Sequence, residues 1–157
     1  MRPMHLLFVC TGNTCRSPLA EGIARHLITQ RGLTDITVGS AGTSAWPGAS
    51  ASDGALLVAL EHGVELGDHR ARTLSPEIVA GADVILTMGP HHLDRVEALG
   101  GAGRTWMLTA YTGREARPVT DPFGGDLDVY RSTYEELEQE IGEILDKVTT
   151  DRAGQSG

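Results

Sequence analysis

The segment His5-Leu6-Leu7-Phe8-Val9-Cys10 is an almost unbroken apolar run, and a helical pattern begins only a few residues after it. A run this short and uniformly apolar suits a strand covered on both faces. Ser17 reads as an N-cap with Pro18 at the first helical position, and Leu19, Ile23 and Leu27 recur at helical spacing until Gly32. The chain therefore opens as strand, tight loop, helix.

The same grammar repeats downstream. Ile36 to Val38 reads as a second strand ended by Gly39-Ser40-Ala41-Gly42, and a helix is expected from about Ser52 to His62, before Gly63. Val84 to Met88 reads as a third strand and Thr105 to Thr109 as a fourth, separated by a helix that Pro90 opens and Gly100 to Gly103 breaks. A long helix is expected from Leu127 to about Val148. Tyr130, Tyr134, Leu137, Ile141, Ile144 and Leu145 form its apolar stripe, with Glu135, Glu136, Glu138, Glu140 and Glu143 on the solvated sides. Residues 149–157 read as a disordered tail. Alternating strands and helices predict an α/β fold: a small, doubly wound, four-stranded parallel sheet with helices on both faces, formed by residues 1–148 as one domain.

Composition narrows the class of partner. The chain has 157 residues, 40% of them hydrophobic, which supports roughly one compact core. Its net charge of −8 argues against sequence-independent nucleic-acid binding. No apolar run approaches the roughly 18 residues of a membrane span, and Met1 to Cys10 is too short for a signal peptide, so a cytoplasmic monomer without membrane contact is expected. Cys10 and Cys15 are the only cysteines, too few for a disulfide framework or a thiolate zinc site, which leaves reactivity as their reading. The pair His91 and His92 reads as an exposed polar helix end, with no metal-site spacing around it.

The chemistry concentrates in Cys10-Thr11-Gly12-Asn13-Thr14-Cys15-Arg16-Ser17. Wrapped at a helix N-terminus, such a loop aims successive backbone N–H groups at one tetrahedral oxyanion, with Gly12 supplying a conformation other residues resist. Arg16 can close the ring with a bidentate fork onto two phosphoryl oxygens. A cysteine on the floor of this nest faces a helix dipole, a guanidinium and a hydroxyl, surroundings that favour the thiolate. Taken alone, Cys10 also reads as a structural cysteine at a strand end. The string is not a Walker loop, a dinucleotide fingerprint or a thioredoxin-type pair.

The form Cys, five residues, Arg, Ser resembles the low-molecular-weight protein phosphatases. The resemblance spans nearly the whole chain: Phe8 to Pro18 matches the signature, Ser40-Ala41-Gly42-Thr43 a second block, His69-Arg70-Ala71-Arg72 a third, and Asp121-Pro122-Phe123 the late acid loop. It implies Cys10 as nucleophile, Arg16 as oxyanion clamp and Asp121 as general acid, acting on phosphorylated proteins with no metal or cofactor. It further implies that Thr11, Gly12, Asn13, Thr14 and Cys15 cradle the substrate, that Asn13, Ser17, Ser40 and His69 form a hydrogen-bond network beneath the loop, and that Trp46 and Phe123 wall the pocket. Read without the loop, Asp121-Pro122 is an ordinary turn, His69 a satisfied histidine and Trp46 a packing residue.

Within the resemblance, Thr14 and the run Phe123-Gly124-Gly125 are similar to the protein-arginine phosphatase branch. The tyrosine branch commonly carries a bulky aliphatic residue at the first position and paired tyrosines at the second. A threonine hydroxyl can pair with a guanidinium or position water, as isoleucine cannot; it can also merely fill space. Two thiols in one tight loop make Cys15 a candidate redox partner for Cys10. Arsenate reductase, a related fold with a thiol relay, is disfavoured because Asp83 to Leu93 contains no cysteine. A phosphate-binding module without catalysis would not need Asp121.

Overall fold

Alternation along the first strand sorts the core into two layers. β1 (Met4–Cys10) turns Leu6, Phe8 and Cys10 to one face of the sheet and Leu7 and Val9 to the other. The computed structural model describes the backbone of residues 2–156 and the side chains of residues 2–154. α1 (Arg16–Gln30), α2 (Asp53–Glu61) and α5 (Leu127–Ser156) lie on the first face, where Leu19, Ile23, Val58, Leu137 and Ile141 join Phe8 in one buried cluster. α3 (Pro76–Ala80) and α4 (Pro90–Val96) cover the second with Val79 and Val96. Leu6, Leu7, Phe8 and Val9 are wholly buried, each large side chain contributing about 1.5–3 kcal/mol of transfer free energy.

The sheet is parallel throughout. β2 (Ile36–Gly42), β3 (Val84–Thr87) and β4 (Thr105–Met107) join β1 in the order β2-β1-β3-β4. The chain leaving β1 enters α1 on one face, and the chain leaving β3 enters α4 on the other. Their carboxyl ends therefore diverge around a crevice, where doubly wound sheets bind ligands.

Several expectations are revised. β2 does not stop at Val38 but pairs with β1 as far as Gly42. Its glycines answer to close neighbours: a Cβ on Gly42 would lie 2.5 Å from the Thr11 carbonyl oxygen, and one on Gly39 3.0 Å from Arg72 Nη2. α1 starts at Arg16 with Cys15 at the cap position, so Ser17 is not the N-cap. α3 was not anticipated, although Ser75 caps it by accepting from Ile78 N–H at 3.2 Å and Pro76 opens it. The fourth strand ends at Met107, and Leu108–Ala110 form a single 3-10 turn.

The expected disordered tail is also corrected. α5 continues through Thr149 to Ser156 because Arg152, 8% exposed, reaches back to the N-terminal part of the sheet. Its Nη1 donates to the Asp35 carbonyl at 3.0 Å and its Nη2 to the Arg2 carbonyl at 2.7 Å. Gly157 lies outside the described residues. Nor is Glu140 solvated, being 2% exposed where α5 meets the loop that follows β4. Among the described residues no helix is long and apolar enough to cross a membrane.

Candidate active site

The loop between β1 and α1 bends tightly because Asn13 adopts a left-handed conformation, φ 56°. That role had been expected of Gly12, which has no positive φ. Asn13 is fully buried, so it supports the loop from beneath rather than lining the pocket. Its carbonyl oxygen accepts from His69 Nε2 at 2.7 Å, and its Oδ1 accepts from the Arg72 backbone N–H at 3.0 Å. With Oδ1 so occupied, Nδ2 donates to Ser17 Oγ at 2.8 Å and to Ser40 Oγ at 2.9 Å.

Ser40 Oγ donates to Glu21 Oε1 at 2.6 Å, a carboxylate that can only accept. Ser17 Oγ, accepting from Asn13, is also hydrogen-bonded to Cys10 Sγ at 2.9 Å. The loop is braced from behind by the end of β2, where Thr43 N–H donates to the Cys10 carbonyl at 3.0 Å and Ser44 N–H to the Thr11 carbonyl at 2.9 Å.

Above the loop lies a cavity of about 240 Å³ lined by Cys10, Thr11, Gly12, Thr14, Cys15, Arg16, Asp121 and Phe123. Arg16 is 7% exposed; its Nη1 donates to the Val119 carbonyl at 3.2 Å and its Nη2 stands 3.6 Å from Asp121 Oδ2. Asp121 Oδ1 accepts from Phe123 N–H at 3.1 Å, which makes the local Asp-Pro turn and keeps the carboxylate over the cavity. A buried cation, a thiol and an exposed carboxylate thus share one cavity at the sheet's carboxyl edge.

Residues 5–154 match the family described as low molecular weight phosphotyrosine protein phosphatase. The chain belongs to that family. It is a phosphoprotein phosphatase, a cysteine-based hydrolase. It is 41% identical over 142 residues, covering 90% of this chain and 97% of the other, to the low molecular weight protein-tyrosine-phosphatase PtpB of Staphylococcus haemolyticus. It is 38% identical over 152 residues, covering 96% and 99%, to the protein-arginine-phosphatase of Geobacillus stearothermophilus. A solved structure of YwlE arginine phosphatase, a cysteine-to-serine mutant with a phosphorylated active-site serine, superposes with a TM-score of 0.90 at 33% identity, covering 96% of this chain and 99% of that one.

Within this low molecular weight phosphatase, most of the residues singled out in the sequence converge, and a few do not. Trp46 is 82% exposed and does not line the cavity, whereas Phe123, 76% exposed, stands at its rim. Cys15, buried in the cavity wall, donates to Ser52 Oγ at 3.3 Å and lies 3.4 Å from Tyr130 Oη. Burial, and then the contact with Cys15, raises the Tyr130 hydroxyl above its ordinary pKa.

His92 overturns its reading as an exposed helix end. It is fully buried, with Nε2 2.8 Å from Thr11 Oγ1, and its Nδ1 has no partner among the described residues. Burial, followed by the neighbouring His91 and Arg16, pushes it down to about 4, so the ring is neutral at neutral pH. No local pattern announced this contact, because 81 positions separate the two residues. Arg72 and Glu21 were likewise unassigned, although Arg72 stands within the third block; only the fold reveals that they hold Asn13 and Ser40.

Proposed function

We propose that the chain hydrolyses phosphoarginine in proteins through a phosphocysteine intermediate, acting in the cytosol as a monomer. In this reading the Cys10 thiolate attacks phosphorus in line while the loop N–H groups and Arg16 hold the three equatorial oxygens. Asp121 protonates the departing guanidine nitrogen as the P–N bond breaks. It then takes a proton from the water that attacks the phosphocysteine, releasing inorganic phosphate and restoring the thiolate. The phosphorylated serine in the related arginine phosphatase mutant supports a covalent intermediate at this loop position.

The observation that carries the substrate assignment is that Thr14 and Phe123 line the same cavity as Cys10, Arg16 and Asp121. Among the described residues Thr14 Oγ1 has only a 3.8 Å contact with Cys15 Sγ, which leaves its hydroxyl able to meet a guanidinium. Sequence identity does not separate the branches, and protein-tyrosine phosphatase is the second reading. The test is the ratio of kcat/KM for phosphoarginine and phosphotyrosine peptides of matched sequence, with Cys10→Ser as blank. A clear preference for phosphoarginine that Thr14→Ile reduces supports the assignment; a preference for phosphotyrosine, or a ratio that Thr14→Ile leaves unchanged, overturns it.

Cys15 supplies the second thiol of a reversible redox guard. Peroxide converts Cys10 to a sulfenic acid, and attack by Cys15 forms the disulfide with release of water. Mass spectrometry after peroxide should find the Cys10–Cys15 link; sulfonic acid at Cys10 without that link would refute the guard.

A further inference from the structure

Asp121 is borne on a long connection between the 3-10 turn at Leu108–Ala110 and α5, a stretch with no helix or strand of its own. Its tip is nevertheless pinned to α5 by charge. Glu140 Oε1 accepts from Arg114 Nη1 at 3.2 Å and from Arg117 Nη2 at 3.1 Å, so one buried carboxylate bridges both arginines of the connection. Glu136 and Glu143, one turn to either side on α5, pair with the other nitrogens of Arg117 and Arg114 respectively.

The segment anchored by Arg117 leads straight into the site. Thr109 Oγ1 accepts from Arg117 N–H at 2.9 Å and donates to the Arg117 carbonyl at 2.6 Å, fixing the backbone at that point. Two residues on, Val119 supplies the carbonyl that holds Arg16 Nη1, and two further on stands Asp121, 3.6 Å from Arg16 Nη2. A rotation of the connection about its ends would displace the carboxylate and one partner of Arg16 together. Proton transfer demands hydrogen-bond reach, so a displacement of about 1 Å is enough to weaken it.

We propose that Glu140 is a positioning residue for Asp121: by clamping Arg114 and Arg117 it holds the acid at the distance from Cys10 and Arg16 at which it can protonate the leaving group. The proposal rests on the reading of Asp121 as general acid. It also gives the glutamate row of α5 a function, since Glu136, Glu140 and Glu143 fall on one helical face turned toward the connection. Half-exposed surface pairs rarely matter for stability. Glu140 differs because it is buried and serves both arginines at once, so removing its charge leaves the two guanidiniums without their shared anchor.

The test uses aryl phosphates graded by leaving-group pKa, from 2,4-dinitrophenyl phosphate, which departs without help, to phenyl phosphate, which needs a proton. Asp121→Asn is the reference for a missing acid. Glu140→Gln and Arg117→Gln should each lower kcat/KM, which reports the steps through phosphoenzyme formation, by about tenfold or more on phenyl phosphate, the loss shrinking to about twofold on the dinitrophenyl ester. Arg117→Lys, which retains the cation, should restore most of kcat/KM on phenyl phosphate. A loss equal across all leaving groups, or none, overturns the proposal while a steepened dependence in Asp121→Asn leaves the acid reading standing. If Asp121→Asn itself does not steepen the dependence, both fall. Should Glu140→Gln fail to fold, Arg117→Gln, a change at a half-exposed side chain, carries the same comparison.

Discussion

Ser17 Oγ lies 2.9 Å from Cys10 Sγ and also accepts from Asn13 Nδ2 at 2.8 Å, so the buried amide holds the hydroxyl beside the sulfur. In the proposed mechanism this hydroxyl donates to the Cys10 sulfur that attacks phosphorus. Ser17→Ala should lower kcat by about 10- to 100-fold, the worth of a hydrogen bond to a charged group, and change KM little. Rapid-quench measurement of phosphoenzyme formation checks this; a normal kcat would remove the serine from the chemistry.

His92 makes stability depend on acidity. Its folded pKa of about 4 lies below the ordinary 6.5, so between those values the unfolded chain binds the extra proton and stability rises with pH. Acidification from about pH 6.5 to 4 should therefore remove up to roughly 3 kcal/mol through this residue. Urea midpoints across that range should fall more steeply for the wild type than for His92→Gln; parallel curves would show that another group governs the loss.

Gly42 admits no side chain. A Cβ there would meet the Thr11 carbonyl oxygen at 2.5 Å, a backbone atom of the loop between β1 and α1 that cannot swing aside. Gly42→Ala should cost about 1–3 kcal/mol and displace the loop enough to reduce activity in the surviving folded protein. Thermal denaturation with kcat measured well below the midpoint separates the two effects, and an unaltered midpoint would contradict the contact.

Arg152 ties the end of α5 to the Asp35 and Arg2 carbonyls, far from the cavity. Arg152→Ala should lower stability by about 1–3 kcal/mol, as expected when buried hydrogen bonds lose their donor. Hydrogen exchange should speed up in the last turns of α5 while kcat/KM stays unchanged. Unchanged protection there would mean that the helix end is held by other contacts.

The class of fold, the four strands and the reactive loop were legible in the sequence because their determinants are local. A buried strand announces itself by an apolar run, a helix by its period, and a phosphate nest by cysteine, arginine and serine at set intervals around a turn. The resemblance of four blocks in order then marked Asp121, His69 and Ser40, far apart along the chain. Local signals failed where glycine or serine had a tertiary reason. Gly39 and Gly42 read as strand breakers but make room for Arg72 and Thr11, and Ser17 read as a helix cap but faces Cys10.

What only the tertiary structure decided is which polar groups meet. Thr11 with His92, Asn13 with Arg72, Arg152 with Asp35 and Glu140 with Arg114 are contacts between elements whose sequence distance is set by crossovers, not by any period. The same amphipathic stripe that predicted α5 placed Glu140 among its solvated residues, and the connection from β4 then folded over it. A periodic pattern tells which side of a helix is apolar; which chain segment will lie against the other side depends on the packing of the whole.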